Sequence, residues 1–114
     1  MVGSGYKTAA ALAYLSAGLH LAALIWAGFG VNGVTMVVGI VLWTATGIGL
    51  VRGLRWVAHF GFLLALVGTI VSASMLFDPA WLVPQWLPLA LVGADAAVAV
   101  TLFGVLWRAP GTAP

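Results

Sequence analysis

Four apolar runs, each about as long as the hydrocarbon core of a bilayer is thick, occupy nearly the whole of this 114-residue chain. A helix rises 1.5 Å per residue and needs about 20 apolar residues to cross about 30 Å of hydrocarbon. The first run covers residues 8–30, and Asn32-Gly33, a strong turn dipeptide, separates it from the second at 33–51. Arg52-Gly53-Leu54-Arg55 then interrupts with two charges and a helix breaker, and the third run follows at 56–77. Pro79 and Pro84 deny donors to a helix interior and precede the fourth run at 86–107, where Pro88 falls in the tolerated first turn. The pattern predicts an all-α integral membrane protein: one domain over 1–114, a compact antiparallel bundle of four transmembrane helices, with 109–114 as a mobile tail. The first run is too long for the apolar core of a signal peptide, and no small-residue cleavage motif follows it. It is expected to stay as a helix.

Only 5% of the residues are charged, against about 25% in an ordinary soluble domain. Four spans leave no room for a soluble catalytic domain, and the absence of Cys excludes disulfides and thiolate chemistry. The net charge of +2 reflects topology rather than an affinity for nucleic acid, which is not expected as a partner. Lys7, Arg52, Arg55 and Arg108 are all the cations, and a four-span path brings every one to the same side. The positive-inside rule makes that side cytoplasmic, with both termini on it, and leaves Asp78 in the loop on the other. Trp56 and Trp107 at the inner boundary, and Trp81 and Trp86 at the outer one, fit aromatic belts at headgroup depth. The expected location is a cell membrane, with a bacterial inner membrane as the reading of a compact chain without a targeting peptide.

Membrane helices associate through small residues that let backbones approach, and through interhelical hydrogen bonds. Small residues recur at helical spacing in all four runs: Ala9, Ala13, Ser16, Ala23, Ala27 and Gly30 in the first, with His20 in the middle of that stripe; Thr35, Gly39, Thr46, Gly49 and Gly53 in the second. The third offers Ala58, Gly61, Ala65, Gly68 and Ser72, and the fourth Ala90, Ala94, Ala97 and Gly104. Each stripe marks an expected packing face.

Asp95 constrains the interior most, because an ionised Asp near a helix centre costs about 2.5–3.5 kcal/mol on insertion scales. His20 lies 13 residues from Lys7 and Asp95 lies 13 from Arg108, which places both about 20 Å deep if those cations mark one boundary. A buried polar pair of His20 and Asp95 is therefore expected, with Thr69 at the same level. The alternatives are a neutral carboxyl bonded to a backbone carbonyl or Thr, and a contact with another subunit. A haem held by His20 and His59 is not expected, since His59 lies only four residues past Arg55 and the two imidazoles then differ in depth by roughly 14 Å. No cofactor or metal is expected. No Gly-x-Ser-x-Gly elbow, HExxH or phosphate loop occurs, so no enzyme activity is expected.

In size and span number the chain resembles the small multidrug resistance transporters, dimers of about four-helix chains. That family relies on a glutamate in its first helix, and this sequence contains no Glu. Two functions remain. One is a structural or accessory role, packing within the bilayer against itself or a larger membrane complex, with membrane lipid around it. The other is a proton-coupled carrier of a small lipophilic solute, acting as a homodimer with Asp95 as the titrating group.

Overall fold

The first helix begins before the hydrophobicity does. In the computed structural model, which describes residues 3–28, 33–78 and 83–107, α1 runs Ser4–Ala27, α2 Gly33–Val51, α3 Arg55–Met75 and α4 Trp86–Leu106. Backbone hydrogen bonding takes α1 through the polar Ser4–Lys7 turn, four residues ahead of the apolar onset at residue 8. It stops early at the other end, where Gly28 adopts φ 74°, a conformation that L side chains disfavour. Of the stretch assigned to helix from sequence, Gly28 is thus the C-cap, and residues 29 and 30 lie outside those described. The third helix likewise ends at Met75 rather than at residue 77. Arg108 and Trp81 and the tail 109–114 also fall outside the described residues.

All four helices are long and apolar enough to cross a membrane. They stand antiparallel in the cyclic order α1-α2-α3-α4, with α1 against both α2 and α4, and α3 against α4. The α2–α3 seam is the loosest between neighbouring helices, although its connection is the shortest. In that turn Gly53, at φ 73°, lets Leu54 N–H donate to Gly49 C=O at 3.1 Å and Gly53 N–H to Leu50 C=O at 2.9 Å. This is a Schellman cap, and it satisfies carbonyls that the end of α2 would otherwise leave open. Lys7, Arg52 and Arg55 share one end of the bundle and Asp78 lies at the other. Arg55 does more there than carry charge: its Nη2 donates to the Leu106 carbonyl at 3.3 Å, joining the start of α3 to the end of α4.

Most of the large buried side chains lie on α2 and α4, and most of the buried residues of α1 and α3 are small. Helix α1 buries Ala9, Ala13, Ser16, Ala17, His20 and Ala23, and α3 buries Ala58, Gly61, Ala65 and Ser72. Between them α2 turns in Met36, Trp43 and Leu50, and α4 turns in Leu87, Leu91, Val98 and Leu102. Big side chains on α2 and α4 therefore fill the space that small ones on α1 and α3 leave, which keeps the interior dense while the backbones stay close. The stripe read on α4 is corrected accordingly. Of Ala90, Ala94, Ala97 and Gly104 only Ala94 is buried, and Gly104 is exposed. On α2, Thr46 and Gly49 are buried as expected, but Thr35 is exposed and Gly53 belongs to the turn.

Trp56, Trp86 and Trp107 are all more than half exposed near the helix ends. Trp43 is the exception among the described tryptophans, 1% exposed in mid-helix. Trp107 stacks on Phe103 at 5.3 Å and meets Phe62 at 5.1 Å and His59 at 6.1 Å, an aromatic cluster that binds α3 to α4 near the Lys7 end. The outward faces carry Ile25, Val34, Val41, Leu63, Ile70 and Val100, each more than half exposed.

Candidate functional site

The polar interior centres on Asp95, which has no exposed surface. It lies on the Leu91-Asp95-Val98-Leu102 face of α4, the face directed at α1 and α3, so helical periodicity alone aims the carboxyl inward. Ser16 on α1 donates its hydroxyl to Asp95 Oδ1 at 2.6 Å. The second carboxyl oxygen, Oδ2, is buried and has no hydrogen-bond partner among the described residues. It lies against Gly68 of α3, where a Cβ would overlap it and would stand 3.2 Å from Cγ. A glycine at that position gives the carboxyl room between α1 and α3.

His20 sits one turn further along α1. Its Nδ1 lies 2.7 Å from the carbonyl of Ser16, and since a carbonyl only accepts, Nδ1 is the donor. The ring's other side packs on α2 at Gly39, where a Cβ would fall 2.6 Å from Nε2. Ser16 thus joins the two sequence-predicted residues, its hydroxyl to Asp95 and its carbonyl to His20. Asp95 and His20 do not bond to each other directly.

The reason is register. Gly5 of α1 lies against Val105 of α4, and counting eleven residues along α1 and ten along α4 from that contact arrives at Ser16 and Asp95. Helix α1 starts at Ser4, so Lys7 already stands about a turn inside its end and is a poor marker of the boundary. Depth counted from Lys7 therefore carries His20 about 6 Å, four residues, past the level of Asp95. Thr69 follows Gly68 on α3 and shares the level of Asp95, but its hydroxyl donates to Ala65 C=O of its own helix at 2.7 Å. It is close to the site in height and takes no part in its hydrogen bonds.

Ser16 and Gly68 were both visible in sequence as members of small-residue stripes, where Ser16 was the single hydroxyl one turn from His20. Nothing in the spacing distinguished it as the partner of Asp95. Chemically the cluster offers one carboxyl oxygen without a donor, one hydroxyl already committed to a carboxyl, and one imidazole bonded to the backbone. A hydrolytic triad requires the imidazole to take the serine proton, and here that proton points at Asp95 instead. Among the described residues no three of His, Asp or Glu gather as a metal site would need. No known protein family, curated protein or solved structure matches the chain.

Proposed function

We propose that this chain is a small multi-pass membrane protein with a structural or accessory role, packing within the bilayer against a larger membrane complex or a second copy of itself. The observation that carries the reading is the division between the faces. The one intramembrane carboxyl is enclosed by helices of its own chain, with Ser16 and Gly68 against it, while the large apolar side chains exposed on the outside are Ile, Val, Leu, Phe, Trp and Tyr. The Arg52–Leu54 connection is only three residues long, so between α2 and α3 a partner meets side-on helix faces rather than a projecting loop. Neither the cavity at the Asp78 end nor the apolar notch between α2 and α3 is lined by Asp95 or His20.

The orientation belongs to the same proposal: the Lys7, Arg52 and Arg55 end faces the cytoplasm of a bacterial inner membrane, with both termini there. The natural chain has no Cys, so single-cysteine labelling is free of background. Phe77→Cys is expected to react with a membrane-impermeant maleimide in whole cells, and Leu54→Cys only after the membrane is opened. The reverse pattern would overturn the orientation.

The accessory role is tested by mild-detergent purification of the tagged protein from its native membrane, followed by native mass spectrometry. A larger membrane protein at fixed stoichiometry is the expected result, and an isolated monomer would count against it. The unpartnered Oδ2 of Asp95 favours one other reading, a homodimeric proton-coupled carrier of a lipophilic solute. A clean homodimer whose solute efflux disappears in Asp95→Asn would establish that reading in place of the first.

A further inference from the structure

The loose α2–α3 seam opens outward into a notch of about 240 Å³, walled by Leu42, Ala45 and Thr46 of α2 and by Trp56, Val57 and Phe60 of α3. Every lining surface is apolar in effect. The Thr46 hydroxyl is spent on Leu42 C=O at 2.7 Å, and its methyl is turned to Gly61. Ala45 is the small residue that leaves the space, opposite two aromatic rings one turn apart on α3.

Height and charge both say what fits. The notch starts beside Trp56, next to Arg55, and its far end at Leu42 lies ten residues from Arg52, about 15 Å along the helix. That is half of a hydrocarbon core about 30 Å thick, the depth of one leaflet. At the mouth Arg52 is exposed, and its guanidinium has no partner among the described residues. Arg55 uses Nη2 on Leu106 C=O and keeps its other donors. Among the described residues no carboxylate opposes them, for Asp78 is at the opposite end and Asp95 is buried between α1, α3 and α4. Basic sites beside membrane helices recruit anionic headgroups.

We propose that this notch is a binding site for an anionic phospholipid, with one acyl chain between α2 and α3 and the phosphate at Arg52 and Arg55. The site rests on the membrane reading above. It is tested by delipidating the detergent-purified full chain, offering equimolar phosphatidylglycerol and phosphatidylcholine, and counting retained lipids by native mass spectrometry. Retention of phosphatidylglycerol is expected to exceed that of phosphatidylcholine by about tenfold. Arg52→Gln, a change at an exposed side chain without partners among the described residues, is expected to reduce the preference severalfold. Ala45→Phe, which fills the notch from an exposed position with both arginines intact, is expected to abolish retention. Equal retention of the two lipids by the wild-type chain, or undiminished retention by Ala45→Phe, would overturn the site while the membrane reading stood. A chain recovered in the aqueous phase without detergent would overturn both.

Discussion

Asp95→Ala is expected to lower the stability of the detergent-solubilised fold by about 2 kcal/mol, and Asp95→Asn by less than about 1 kcal/mol. Interhelical hydrogen bonds in apolar surroundings average about 0.6 kcal/mol and rarely exceed about 1.7, so the Ser16–Asp95 bond alone does not account for the larger figure. The rest comes from what alanine leaves behind. The Ser16 hydroxyl would lose its acceptor in a buried position, and a void would open against Gly68. Asparagine keeps both the shape and an oxygen for Ser16, and it removes the penalty of a carboxyl group in an apolar medium. The measurement is thermal unfolding followed by tryptophan fluorescence, to which the buried Trp43 contributes an internal reporter. A double-mutant cycle with Ser16→Ala isolates the pair, with a coupling of about 1 kcal/mol expected. If Asp95→Ala unfolds at the wild-type temperature, the carboxyl has no structural part.

Gly68→Ala tests the other side of the same carboxyl. The new methyl would occupy the place of Asp95 Oδ2, and that oxygen belongs to a short side chain already held by Ser16. Relief requires either breaking the Ser16 bond or separating α3 from α4. Overpacking of this kind costs about 1–3 kcal/mol, which outweighs the gain of up to about 1 kcal/mol that alanine brings over glycine in a helix. Gly93→Ala on the exposed face of α4 is the control, since nothing lies within 4 Å of the added carbon and only the propensity gain remains. The two changes should therefore move the unfolding temperature in opposite directions. In an Asp95→Ala background the penalty of Gly68→Ala should largely vanish, because the atom it displaces is gone. Equal penalties in both backgrounds would show that the close approach is not to Asp95.

Together these variants separate a structural carboxyl from a working one. Asp95→Asn retains the packing, so a function lost in that variant with stability unchanged would require the acid itself. Stability and function lost together in Asp95→Ala, with both kept in Asp95→Asn, would mark the cluster as a fastening between α1, α3 and α4, in keeping with an accessory role.

The number of helices, their rough limits and the gathering of Lys7, Arg52 and Arg55 at one end could be read from the sequence because each depends on local composition. Runs of about 20 apolar residues have few other places to go, and Arg52-Gly53-Leu54-Arg55 marks a turn by its glycine and charges alone. The inward faces of α1 and α3 were legible for a similar reason, as small residues at spacings of three and four share a side. Three things depended on how one helix is set against another. Whether α4 presents its alanines or its leucines is decided by the small faces of its neighbours, which leave room for large side chains. Whether Trp43 meets the interior or the surface is settled by the rotation of α2, although a mid-helix position already set it apart from the tryptophans at helix ends. The partner of Asp95 turned on a shift of four residues, a single helical turn, between α1 and α4. Chain position relative to Lys7 cannot supply that register, because contacts such as Gly5 with Val105 and Gly68 with Asp95 set it between elements distant in sequence.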